Sequence, residues 1–556
     1  MWDMAGGQAL KVDVAVIGAG VAGAYCAWRL AERPFKVGLF EYGKRVGGRL
    51  FTAHLPGAPH VNCELGGMRF VKDQHLIVQS LVGELKLATA PFLMGDPTPG
   101  LDGKPIGAAN NFMYLRDTHL LVRELNDPAK VPYNLAWSER GLSPDELQRR
   151  LIKMLVPDAD NLQPEAWFDV KVFGQELYKY GYWNLLYRVL SSEAYQFMKD
   201  ACGYEANVAN ASAVLQLPAT EYSNETVFLK LRDGYQALPI RMVERFEKAG
   251  GGVHRNHRLA RIDRSDASGR YELTFCRTHT DSDDRTKESN TRRVVHADQV
   301  ILAMPRRSIE LIDWAPLREP EIARVVKSVL IQKAFKLFLA YPNPWWRALG
   351  LVAGRSITNM PVRQIYYFGV EGEEARNDPN ANPEFQNNAV LMASYSDLGD
   401  VPFWKGLEPV HPDDLFHRRY EDSKPRPKRY AEEDEYTAER LPYQASKQMV
   451  RMAQRQVAQV HGQFELPQPY AAIYHEWGED PYGGGWHEWK AGFKYFDEMR
   501  KMRRPVDGEH VFVVGEAYSN NQGWVEGALQ TAEHVLQDYF GLVRPCWLPS
   551  SADLGP

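Results

Sequence analysis

Three glycines at fixed spacing carry the first chemistry legible in the chain. Gly18-x-Gly20-x-x-Gly23 follows the β-branched run Val12-Asp-Val-Ala-Val-Ile17 and opens a helical stretch from Ala24 to Glu32. Glycines let the backbone turn tightly and approach a pyrophosphate, and the helix start offers that anion free N–H donors and a favourable dipole. Glu41 ends the next strand, Lys36-Val-Gly-Leu-Phe40. A carboxylate there accepts hydrogen bonds from ribose hydroxyls and disfavours a 2′-phosphate, which argues against NADP. Gly47-Gly48-Arg49 follows closely, with Arg49 placed to neutralise phosphate charge. A distant strand-turn-helix, Val511 to Tyr539, carries Gly515-Glu516. An extended FAD needs such a second contact near its ribityl chain, whereas a simple NAD site does not.

The elements that must position these groups form one βαβ unit at the start. Leu76 to Tyr222 then turns rich in helix formers and aromatics. One helix start is explicit, since Ser143-Pro-Asp-Glu146 is a capping box with Pro at the first helical position. Tyr178 to Lys199 reads as another helix. Strand signals return at Gly252-Val-His254, Tyr271 to Phe275 and Gln299 to Ala303, with the polar stretch Arg277 to Arg293 expected as a mobile hairpin tip. Val329 to Tyr341, Gln364 to Phe368 and Val390 to Tyr395 predict strands of a second sheet. His417 to Glu435 is charge-dense and predicts a surface loop, and Ser446 to His461 an amphipathic helix. His510 to Val514 predicts a buried strand before a helix from about Gly523 to Tyr539. The expected architecture is mixed α/β. Residues 10–75, 225–308 and 505–542 make a discontinuous Rossmann-like FAD-binding domain. Residues 76–224 make a mainly helical insertion at the substrate approach, and 309–504 a β-sheet substrate-binding domain.

Composition narrows the class. With 556 residues, the chain can bury a large core and still enclose a ligand cavity. Lys+Arg total 66 and Asp+Glu 71, for a net charge of −5, so a basic nucleic-acid footprint is not expected. No apolar stretch is long enough to predict a membrane span. Met1 to Leu10 carries no recognisable secretion signal. The five cysteines (Cys26, Cys63, Cys202, Cys276 and Cys546) have no paired spacing, which argues against a disulfide scaffold or a Cys-cluster zinc site. A cytoplasmic location, no metal and a homo-oligomer, dimer or higher, are the expectations. His60, His75, His254 and His257 read as ordinary.

Several motifs together resemble the flavin monoamine oxidase family across nearly the whole chain. They are Val14 to Gly23, Glu41 with Gly47-Gly-Arg49, Glu64-Leu-Gly-Gly67, Trp477 with Tyr482-Gly-Gly-Gly-Trp486, and Gly523-Trp-Val-Glu-Gly-Ala528. The L-amino acid oxidases are the most similar branch. The resemblance implies FAD, amine oxidation and peroxide release. It assigns Gly67, Met68, Trp524 and Val525 to the cofactor, Leu259 to adenine through its backbone, and Gly523 to the substrate side. A Cys precedes the first ring in members with covalent flavin; here Gly485 stands there, so non-covalent FAD is expected.

Within the family the branch turns on Arg69. A guanidinium grips a carboxylate with a planar fork, whereas an amine substrate would leave that buried cation unpaired. Tyr395 resembles the tyrosine that gives the carboxylate a second hydrogen bond. Trp486 and Trp524 match the two facing rings that guide an amine and exclude water. Lys336 resembles the lysine that holds a water at flavin N5, with Lys333 on the opposite strand face. The implied reaction is hydride transfer from an L-amino acid to flavin, giving a 2-oxo acid, ammonia and hydrogen peroxide. An aromatic-lined pocket (Tyr178, Tyr180, Tyr182, Tyr187) would suit a large aromatic or cationic side chain, arginine or lysine among them, with Glu205 and Glu488 as candidate acids for a cationic end. A decarboxylating, amide-forming L-amino acid 2-monooxygenase shares every motif, and an amine or polyamine oxidase is the further alternative.

Overall fold

The computed structural model describes residues 9–100, 103–209, 211–218, 226–264, 270–281, 285–416 and 443–556. The Leu10–Ile17 strand lies at the centre of an eight-stranded sheet. Its β-branched residues are buried on both faces, as a parallel strand covered by helices requires. It pairs in parallel with Val37–Phe40 on one side and Thr286–Leu302 on the other. The Val511–Val513 strand joins in parallel beside Val300 to Leu302, so the far end of the chain returns to the first βαβ unit. The helices Val21–Leu30, Ala237–Lys248 and Val525–Phe540 pack with this sheet around one apolar core.

A seven-stranded sheet forms the second layer, built on Gln364–Val370, Ala389–Asp397, Ala334–Tyr341 and Ala471–Glu476. Its antiparallel register sets Lys336 opposite Tyr395.

Several boundaries differ from the sequence expectation. Val329 to Tyr341 is two strands, because Val329–Gln332 leaves the sheet to pair with Trp486–Trp489. Lys333 falls in the break and is exposed, so the break, not alternation along one strand, separates it from Lys336. Tyr178 to Lys199 is two helices, Tyr182–Val189 and Ser192–Ala201. Ser191 caps the second, accepting from the Ala194 N–H at 3.1 Å, and this local cap overrides continuation of the first. The 76–224 segment also contributes the Phe112–Leu115 and Thr118–Leu121 strands to the second sheet. Asp313–Trp314, placed by sequence in the substrate domain, pairs with the first sheet. Most of Arg277 to Arg293 is strand rather than tip, since the hairpin arms run to Thr280 and from Thr286. His417 to Glu435 lies outside the described residues.

The capping box at Ser143 forms as expected, and Ser446 caps the Lys447–Val460 helix through the Met449 N–H at 3.0 Å. Among the described residues no helix is long and apolar enough to cross a membrane.

Candidate active site

Residues of both sheets line one cavity of about 460 Å³. Every residue singled out for the cofactor, the substrate carboxylate or the reacting centre lies in its wall except Gly23. Gly23 is needed for packing instead. A Cβ there would sit 1.8 Å from the Gly18 carbonyl oxygen, so only glycine lets the helix start against the turn. Gly18 has φ 105° and leaves no room for a side chain beside Ala303 O.

At this end the Val21–Leu30 helix begins with no side-chain cap and no acid in its first turn. Its N–H groups are therefore available to an anion in the cavity. Glu41 accepts hydrogen bonds from the Ala19 N–H at 2.7 Å and the Gly43 N–H at 3.0 Å, which fixes its carboxylate at the strand end; burial pushes its proton affinity up. Leu259 and His257 complete the wall here. His257 Nδ1 donates to the Arg255 carbonyl at 2.8 Å, leaving Nε2 to accept from Arg277 at 2.8 Å, so the buried ring is neutral; burial lowers its pKa to about 4.

A second uncapped helix start faces the same cavity. Trp524 precedes the Val525–Phe540 helix without a side-chain cap, and both Trp524 and Val525 line the wall. Upstream, Gly515 adopts φ 134° and Glu516 is buried. The Glu516 carboxylate forms a hub. It pairs with Arg49 and His487 and accepts from the Gly523 N–H at 3.0 Å. Burial alone would raise its pKa, but Arg49 and His487 hold it well below the usual carboxylate range. Arg49 lines the cavity with its charge compensated by Glu516, and it donates to Gly485 O at 3.3 Å, so it also braces the site.

Lys336 and Arg69 meet at the other end. Lys336 is 2 % exposed; its Nζ donates to the carbonyls of Glu64 at 3.0 Å and Gly66 at 2.5 Å and sits 4.5 Å from the centre of the Tyr395 ring. Burial lowers its pKa to about 7, against the Glu64 charge and with help from Arg69. Arg69 is 4 % exposed, packed on the Phe228 ring at 4.3 Å and Phe92 at 5.1 Å, with Nη1 2.9 Å from Met94 Sδ. Tyr204 hydrogen-bonds both Tyr395 and Tyr366, so three phenols gather near this guanidinium. Burial raises the Tyr395 hydroxyl.

Trp486 and Trp524 both line the cavity, but neither ring packs against the other. Trp486 meets Tyr204 edge-on at 6.1 Å, and its ring edge lies 3.6 Å from where a Cβ of Gly523 would be. Trp524 meets His75 edge-on at 4.7 Å; burial keeps that imidazole neutral, its pKa lowered to about 4. The four tyrosines expected around a substrate side chain are elsewhere. Tyr182 is core, Tyr187 is exposed, Tyr178 packs on Phe168 and Tyr180 donates to the Val172 carbonyl at 3.1 Å, all outside the cavity wall. Tyr204, Tyr235, Tyr395 and Tyr482 line it instead. Glu205 is spent on Lys199 at 2.8 Å outside the wall, whereas Glu488 lines it. Sequence reasoning missed Tyr204, His75 and His487. Only His487 carried a local signal, a His between Trp486 and Glu488 on a strand otherwise reserved for the core.

A family model described as flavin containing amine oxidoreductase matches residues 21–405. The chain is 30% identical over 560 residues to aplysianin-A of Aplysia kurodai, covering 98% of this chain and 92% of that protein. It is 29% identical over 547 residues to achacin of Lissachatina fulica, covering 95% and 93%. An L-amino-acid oxidase of Bungarus fasciatus is 25% identical over 398 residues, 71% of this chain and 68% of that one. The solved structure of putrescine oxidase bound to putrescine shares the fold, with a TM-score of 0.61 at 16% identity, covering 96% of this chain and all of that chain. With the family model spanning residues 21–405 and a relative 30% identical over 98% of its length, the chain belongs to the flavin-containing amine oxidoreductase family.

Proposed function

We propose that this chain is an L-amino acid oxidase that binds FAD without a covalent link and oxidises an L-amino acid with a large aromatic or cationic side chain. Two uncapped helix starts and the Glu41 carboxylate facing one cavity fit the diphosphate, the flavin ring system and the adenine ribose of such a dinucleotide. Gly485 precedes Trp486, and no cysteine is among the cavity residues, which supports the non-covalent reading.

The single observation that carries the substrate class is the buried Arg69 guanidinium in the cavity wall. A carboxylate presents two oxygens to that planar fork, and the low local dielectric strengthens the pair. Tyr395 offers a hydroxyl from the opposite strand. Bound FAD supplies the two-electron acceptor and returns the pair to oxygen as peroxide. The protein positions the α-carbon, excludes water with Trp486 and Trp524, and by burial lowers the Lys336 pKa to about 7. With an electron pair removed from Cα–H and the amine, water adds to the imino acid and releases ammonia and the 2-oxo acid.

The test is a peroxide and ammonia assay on the flavin-loaded protein with the L-amino acids, their D-forms and a few polyamines. Peroxide, ammonia and 2-oxo acid with L-amino acids is the expected result. Turnover of amines alone would remove Arg69 as the anchor, and an amide product with carbon dioxide would make the enzyme a decarboxylating monooxygenase. Acid precipitation should leave a colourless pellet and a yellow supernatant.

A further inference from the structure

Glu488 is the one acid of the cavity wall other than Glu41 and Glu516. Strand alternation along Trp486–Trp489 puts it on the same face as Trp486, while His487 turns the other way to Glu516. The carboxylate is 6 % exposed. One oxygen accepts from Gln216 Nε2 at 2.9 Å and the other from Gln332 Nε2, and the Trp486 indole is a further donor. All of these partners are neutral. Among the described residues no Lys, Arg or His pairs with Glu488. Its charged neighbour is Asp397, itself fully buried and held by the Glu205 and Ala206 N–H groups.

A buried carboxylate held in place by neutral amides is oriented but not charge-compensated, and such an arrangement is costly. A countercharge can reach Glu488 from the cavity, whose wall it helps to form. Tyr204 and Trp486, packed edge-on at 6.1 Å, line the same cavity and add aromatic surface that suits a cation.

We propose that Glu488 reads the end of the substrate side chain and selects a cationic terminus, a guanidinium or a primary ammonium. Gln216 and Gln332 act as positioning residues that hold the carboxylate toward the cavity. The inference rests on the oxidase reading above and specifies its substrate class.

Burial raises the Glu488 pKa to about 8, so the free site is largely protonated at neutral pH, and a cation entering it displaces that proton. Asp397, at the end of the Ala389–Asp397 strand of the seven-stranded sheet, raises it further, while Gln332, Gln216 and Trp486 oppose the rise. Selectivity for a cationic over a neutral side chain should therefore sharpen as pH rises through about 8.

The experiment compares isosteric pairs, L-arginine with L-citrulline and L-lysine with L-2-aminoheptanoic acid, on the flavin-loaded wild type, Glu488→Gln and Glu488→Asp. A lost charged hydrogen bond should lower kcat/KM about 10–100-fold. Wild type should prefer each cation by that factor, Glu488→Gln should collapse the ratio to within about threefold of unity, and Glu488→Asp should keep part of it. A structural carboxylate would instead lower the melting temperature and leave the ratio unmoved, which overturns the proposal. A wild-type ratio near one overturns it even if Glu488→Gln fails to fold. Good turnover of neutral L-amino acids with no discrimination sinks only this inference, whereas no turnover of any L-amino acid sinks the oxidase reading as well.

Discussion

His487 Nδ1 lies 2.7 Å from a carboxylate oxygen of Glu516, with both side chains buried. That contact ties the strand carrying Trp486 and Glu488 to the turn before the last helix. Because Glu516 also takes Arg49 and the Gly523 N–H, one carboxylate joins the glycine-rich segment after Glu41, the Trp486 strand and the Gly523–Trp524 loop. The site is therefore braced from behind by a charge its own cavity residues supply.

Glu516→Gln keeps the shape but removes the countercharge of Arg49. The half-buried guanidinium loses about 1–2 kcal/mol of pairing. Flavin retention should fall at least tenfold, read by fluorescence titration of the stripped protein. Unchanged flavin affinity would show that the hub is dispensable.

Arg69→Lys replaces a fork by a point charge in the same wall. KM for amino acids should rise about 10–100-fold, with a smaller effect on kcat. Steady-state kinetics with the best amino acid decide it, and an unaltered KM would remove Arg69 as the carboxylate anchor.

Lys336 loses its proton as pH rises through about 7, since burial outweighs the pull of the Glu64 charge and Arg69 pushes the same way. A positive group beside the flavin favours electron transfer to oxygen. Reoxidation of the reduced enzyme should therefore slow above that pH, and Lys336→Met should slow it about tenfold below that pH and abolish the pH limb. Stopped-flow reoxidation across pH 5 to 10 checks this; a flat wild-type profile would contradict it.

Glu526 accepts from the Ile77 and Val78 N–H groups, both at 2.9 Å, and so caps the Leu76–Glu84 helix from the far end of the chain. Glu526→Ala should cost about 1–2 kcal/mol and lower the melting temperature by a few degrees. Circular dichroism melting of the variant against wild type measures it, and an unchanged Tm would deny the cap its weight.

Local chemistry was legible because it obeys local rules. Gly18, Gly20 and Gly23 are spaced for a turn and a helix start, Glu41 closes a short strand, and Ser143 with Glu146 spells its own cap. None of these needs a distant partner to be recognised. The parallel strand Leu10–Ile17 was equally plain, since its unbroken apolar end Val14-Ala-Val-Ile17, buried throughout, suits a strand covered on both faces.

Tertiary structure decided what no spacing could. The break at Lys333 exists because Val329–Gln332 finds a better partner in Trp486–Trp489 than in the large sheet, and that pairing brings Glu488 to the cavity. Tyr178, Tyr182 and Tyr187 pack outside the cavity, and Tyr204, beyond the second of the two helices, lines the wall instead. Arg49 looked like a free cation in sequence, yet its partner lies 467 positions away at Glu516. Glycine turns and caps are set within a few residues by backbone sterics and hydrogen bonds, so sequence determines them alone. Charge pairing and the facing of a cavity depend on which distant surfaces meet, and only the folded chain brings those together.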